Sequence, residues 1–186
     1  MTRRMIAPAF ALVALASAQG AQAKNQACVA PADMSDAVVY AMPIAFDAAR
    51  NACANRLTQR GFMATRGDAY IAPFRASQDK SWPGAFRMLK TFMAQKDGAN
   101  EEGAIDMTAM LQSMPDAALR PFVDALVGQM IAQEIKGDIC AKIERGLELL
   151  SPLPTDNVGG LAAFLVEMSD VKNPPVCTTA QTASGK

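Results

Sequence analysis

Four cysteines, Cys28, Cys53, Cys140 and Cys177, are the residues of this chain best equipped for chemistry. They contain no C-x-x-C pair and their number is even, which favours two disulfides over a redox or metal-binding role. Three pairings are open to four cysteines. Cys53 falls roughly 20 residues into the first helical segment, about 30 Å along its axis at ~1.5 Å per residue. Cys28 lies about five residues before that segment and reaches back only ~17 Å when fully extended. A Cys28–Cys53 bond is therefore disfavoured, and with it the Cys140–Cys177 bond it would force. The expected pairs are Cys53–Cys140, joining two apolar helix stripes, and Cys28–Cys177, tying two extended arms.

Thioethers are the second chemical feature. Met107, Met110 and Met114 are spaced i, i+3, i+7, so they share one face of a short helix. Soft ligands of that kind select Cu(I), but methionine also fills irregular helical cores, and the same spacing describes a buried stripe. The only tryptophan, Trp82, sits in Ser81-Trp82-Pro83-Gly84 one turn before Phe86. An aromatic pair at a helix start is a candidate anchor for an apolar ligand or a protein partner.

Polar catalysis has little to work with. The chain has no histidine, which excludes Ser-His-Asp and Cys-His systems, His-based zinc sites and the commonest general base near neutral pH. Ser77-Gln78-Asp79-Lys80 resembles the S-x-x-K nucleophile motif of penicillin-binding proteins and serine β-lactamases, but the S-D-N and K-T-G partners of that motif are absent. Glu144 and Glu148, spaced i, i+4, share a helix face, the arrangement of an acid pair or of a solvated charged stripe. Glu101-Glu102 falls in a polar linker, and Gly159-Gly160 reads as a packing contact rather than a phosphate loop. No catalytic residue and no cofactor is assigned.

The elements that must position these groups begin after a leader. Arg3-Arg4, the apolar run Met5 to Ala18 and Ala21-Gln22-Ala23 have the form of a secretory signal, expected to be cleaved after Ala23. Export places the cysteines in an oxidising compartment, periplasmic or extracellular. The 186 residues less the 23 of the leader are enough for one domain with its own core. Eighteen basic residues balance eighteen acidic ones, and losing two arginines with the leader leaves a slight acidic excess. That balance gives no electrostatic footprint for nucleic acid. No later apolar run approaches the ~18 residues of a membrane span, so no stable membrane insertion is expected after cleavage.

Almost every periodic segment beyond the leader is helical. Val39, Met42, Phe46, Ala49, Cys53 and Leu57 predict a helix over 36–60, capped by Asp33 or Ser35 and kinked or delayed by Pro43. Residues 61–80 read as a loop broken at Pro73, and a second helix runs from Ser81 to about Lys96 with Trp82, Phe86, Leu89 and Phe92/Met93 inward. A linker over 96–103 and a short helix over 105–114 follow. The next helix opens with Pro121 at its first position, presents Val123, Leu126, Val127, Met130, Ile131 and Ile135, and stops at Gly137. Asp138 then caps a helix bearing Cys140, Ile143, Leu147 and Leu150. Thr155 or Asp156 caps the last one, whose inner face is read as Val158, Leu161, Leu165 and Met168. These last two form an αα-hairpin, and the tail is extended after Ser169 and frayed from Thr178.

The fold class is all-α: a compact bundle of about five to six helices over 24–177, stapled by two disulfides. The function expected is an exported, non-catalytic binding or interaction module for an apolar ligand or a protein partner. A methionine-cluster copper-handling protein and a histidine-free enzyme built on carboxylates or lysine are the alternatives.

Overall fold

Pro31 opens the first helix because its fixed φ suits the first turn and its missing N–H costs nothing there. In the computed structural model, which describes residues 28–97, 114, 116–169, 171–172 and 174–177, this helix is α1, Pro31–Ala52. It starts five residues earlier than its apolar stripe predicts and has no side-chain cap. Asp33 is instead drawn to Arg87, which donates to its carboxylate at 2.6 and 3.1 Å. Pro43 lies inside α1 without ending it, its ring buried in the bundle. The predicted stripe is the buried one: Val39, Phe46, Ala49 and Cys53 are all at most 3% exposed.

After the one-turn helix α2, Phe62–Thr65, a 31-residue helix α3 runs over Gly67–Asp97. This corrects the reading of 61–80 as a loop and of Ser81 as the start of the second helix. Pro73 and Pro83 both lie within α3. Pro73, the proline within 61–80, costs ~3 kcal/mol as an interior residue, but Tyr70, Ile71 and Phe74 are buried on one face around it, and burying three such side chains is worth more, at about 1.5–3 kcal/mol each. Packing therefore overrides local propensity. Helix α4, Asp116–Glu134, likewise begins before its proline, so Pro121 sits inside it rather than at the first position. A 3₁₀ turn, Gly137–Ile139, leads into α5, Cys140–Leu150, and a short turn leads to α6, Thr155–Met168. Neither α5 nor α6 has a side-chain cap. Among the described residues there are these six α-helices and no strand.

Helix α1 is the common neighbour, packed by α3, α4 and α6. Its partners approach closely where they carry glycine. A Cβ on Gly84 of α3 would lie 2.6 Å from the Asp36 Cβ, and one on Gly159 of α6 would lie 2.9 Å from the Ser35 carbonyl oxygen. The Gly159 contact decides which face of α6 turns inward. Val158, Gly159 and Ala163 are buried, whereas Leu161, Leu165 and Met168, expected inside, are 42, 57 and 67% exposed. Small residues win the interface because they let the backbones meet, and α6 takes its principal packing from α1.

Both disulfides are those the sequence predicts. Cys53–Cys140 joins the end of α1 to the start of α5 with Cα atoms 5.7 Å apart, and both cysteines are buried. Cys28–Cys177 joins the two arms, with Cα atoms 4.9 Å apart. The arms pair directly beside it: the Val29 N–H donates to the Pro175 carbonyl and the Cys177 N–H to the Val29 carbonyl, each at 2.9 Å. Helix α1 is 22 residues long, about 33 Å at ~1.5 Å per residue, which is why Cys28 and Cys53 end on different staples.

Candidate functional site

Trp82 and Phe86, one turn apart on α3, stack with centroids 5.3 Å apart and planes 18° apart. Tyr40 of α1 meets the tryptophan ring at 5.0 Å and a tilt of 44°. Trp82 and Phe86, with Leu119 and Val123 of α4, form an apolar cluster that also takes in Leu89, Met93 and Met114. Where α1, α3 and α4 diverge beside it, a groove of about 200 Å³ opens. Helix α1 supplies Ala37, Tyr40 and Ala41, α3 supplies Trp82, Ala85, Met88, Leu89 and Phe92, and α4 supplies Val123 and Val127. No charged side chain lines it. Alanines at 37, 41 and 85 leave the space, and the large residues wall it.

A polar network fixes the Tyr40 end of the groove. The Tyr40 hydroxyl donates to Asp124 and accepts from Arg120 Nε at 3.2 Å. Gln78 Nε2 donates to the Tyr40 carbonyl at 3.1 Å. The Arg120 guanidinium lies 5.3 Å from the Tyr40 ring centroid and 6.0 Å from that of Trp82, and it pairs with Asp79. Burial and the hydrogen bond to Asp124 hold the Tyr40 phenol well above its ordinary range. The phenol therefore stays neutral and anchored, a rigid wall of the groove.

The remaining candidates sort by geometry. Trp82 is brought to the groove wall and Phe86 behind it. Met114 packs on the same cluster, while Met107 and Met110, with Glu101-Glu102, lie outside the described residues. Glu144 and Glu148 serve the scaffold. Glu144 Oε1 accepts the Met63 N–H at 3.1 Å at the start of α2, and Glu148 holds Arg66 at 3.1 Å and Arg145 at 2.8 Å. Ser77 lies within α3 with its hydroxyl donating to the Pro73 carbonyl at 2.9 Å, the bond of a helical serine and not of a nucleophile at a helix start. Among the described residues no group of three His, Cys, Asp or Glu is placed to hold a metal ion, and no helix is long and apolar enough to cross a membrane.

A second, more open cleft of about 430 Å³ lies between α1 and α4 near Asp47 and Asp124. Its carboxylates already have partners: Asp47 takes Arg75 at 2.8 Å and Asp124 takes Tyr40. Sequence reading places Val123, Val127, Leu89 and Phe92 on inward faces but misses Tyr40, Arg120 and Asp124. The only trace of that network in the sequence is Tyr40 one position beside the apolar stripe.

Fold and site thus define a disulfide-closed, all-α fold with an uncharged groove walled by its single tryptophan. Comparison with protein families, with curated proteins and with solved structures finds no match to this chain.

Proposed function

We propose that this protein is an exported binding module that accepts an apolar group between α1, α3 and α4. The observation that carries the reading is the groove itself: about 200 Å³ lined by ten residues of which none is charged. Pockets that swallow a whole drug-sized molecule run to roughly 300–1,000 Å³. At about 30 Å³ per methylene-sized group, the volume share of one water, this one holds about seven heavy atoms. Its ligand is therefore an alkyl or aromatic moiety of a larger molecule, the rest of which stays outside. The leader-like N-terminus and the two disulfides support an oxidising destination, where bonds of this kind persist.

The experiment is a titration of the leaderless, oxidised protein with linear alkanols of increasing length, read by Trp82 fluorescence. Affinity is expected to rise about fourfold per methylene, from ~0.8 kcal/mol each, up to about seven carbons and then to level off. Ala85→Phe, which fills the groove from α3, removes the response without unfolding the protein by circular dichroism. An emission spectrum that stays unchanged into the millimolar range refutes the proposal, as does an affinity that keeps climbing past ten carbons, the behaviour of surface adsorption. Recovery of an exporting host's product with its mass starting at Lys24 checks the leader.

A further inference from the structure

We propose that α6 is a self-association surface through which two copies of this chain pair about a twofold axis. Leu161, Phe164, Leu165 and Met168 are spaced i, i+3, i+4, i+7 and are 42, 53, 57 and 67% exposed. They form one stripe on the side of α6 opposite the Val158, Gly159 and Ala163 face seated on α1. From Asn157 to Val166 the helix carries no charge at all. A helix apolar on every side is normally covered on every side, and here α1 covers only one. Four large side chains about half exposed leave on the order of 400 Å² of apolar area, the size of the largest patch on a typical monomer, which is often a functional one.

The chemistry of the stripe selects its occupant. A helix that lies on a membrane surface carries lysine or arginine on its polar face, and α6 has neither, its charges being Asp156 and Glu167. The stripe is also symmetric about its own midpoint. An antiparallel second copy centred there sets Leu161 against Met168 and Phe164 against Leu165, each twice, as an isologous contact requires. The same register sets Glu167 against Ala162 and carries Asp156 past Met168, so within the two helices no like charges face each other. Two such faces bury ~800 Å², below the ~1,200 Å² of a standard stable interface, so the dimer is weak and concentration-dependent. This inference stands independently of the groove, which lies between other helices.

Sedimentation velocity of the oxidised protein from about 5 µM to 1 mM tests it. The dimer fraction is expected to climb across that range. Leu161→Lys or Met168→Glu alone weakens association at least tenfold. The two together in one chain restore it, because position 161 of one copy faces position 168 of the other. Exposed positions tolerate these changes, and circular dichroism of each variant checks the fold. Met130→Glu, on α4 and 59% exposed, leaves association unchanged. A protein that stays monomeric to 1 mM overturns the proposal, and so does a double variant as weak as either single one. Binding of neutral lipid vesicles by a strictly monomeric protein assigns the stripe to a membrane and overturns it equally.

Discussion

Gly159 and Gly160 are neighbours in sequence whose replacement by alanine should act in opposite directions. Either change removes backbone freedom from the unfolded chain, a gain of up to ~1 kcal/mol in a helix. At Gly160 a Cβ meets nothing within 4 Å, so Gly160→Ala keeps the whole gain. At Gly159 it meets Ser35 Oγ at 2.6 Å, the Ser35 carbonyl oxygen at 2.9 Å and Val39 Cγ2 at 2.9 Å. The hydroxyl can rotate away, but the carbonyl belongs to α1 and valine has one strongly preferred rotamer in a helix. The backbones of α1 and α6 must separate, and overpacking of this kind costs about 1–3 kcal/mol or more. The net loss for Gly159→Ala is up to about 2 kcal/mol, and the two variants should differ by about 1–3 kcal/mol, or roughly 2–12 °C in Tm for a chain of this size. Urea denaturation followed by circular dichroism at 222 nm measures both, with unchanged m-values as the condition for comparison. If the two variants shift stability in the same direction, the close approach of α6 to α1 is wrong.

The chain has two tyrosines, and burial raises the phenols of both Tyr40 and Tyr70. Their contribution to stability is complete below the unfolded value of about 10 and is lost as pH rises toward the folded ones, by up to ~1.4 kcal/mol per pH unit for each phenol. Absorbance at 295 nm should show both phenols ionising above pH 10 in the folded protein, and a tyrosine titrating near pH 10 there contradicts the structure. The Tyr70 hydroxyl is buried without a hydrogen-bond partner among the described residues, so Tyr70→Phe should leave stability unchanged or raise it by up to ~1 kcal/mol in thermal melts. Burial and the neighbouring Asp33 raise the Asp36 carboxyl. Asp36→Asn should therefore stabilise the protein at pH 7, with the advantage disappearing below about pH 4 in denaturation series. Replacing Cys53 and Cys140 together by alanine should cost about 2–5 kcal/mol, read as a fall in urea midpoint, and an unchanged midpoint would remove that bond from the list of supports.

The cysteine pairing is legible in the sequence because helix length is a ruler: a rod 22 residues long cannot bring its two ends to one sulfur. The start of α3 is hidden because Pro73 and Pro83 speak locally while Tyr70, Ile71 and Phe74 speak through tertiary burial, and the larger energy decides. The inward face of α6 is illegible for a different reason. Both of its faces are apolar, so periodicity cannot choose between them; steric size at Gly159 does. Trp82 is visible as an anchor through its rarity, but the polar network joins Tyr40 to Arg120 and Asp124, 80 and 84 positions away, a separation that leaves no local pattern. Glu144 and Glu148 have the spacing of a catalytic pair and the contacts of a brace, a difference visible only once α2 lies against them.

The Cys28–Cys177 bond spans a sequence separation of 149 residues, with Cys53–Cys140 nested inside it. Covalently, the domain is a ring within a ring, entered and left at a single point where the two arms run side by side. A pull applied to the chain on either side of that point travels through sulfur and never reaches α1 or the helices around it. Tethered at either end, the bundle would hang like a bead from a closed clasp, carrying no load while its oxidised state lasts.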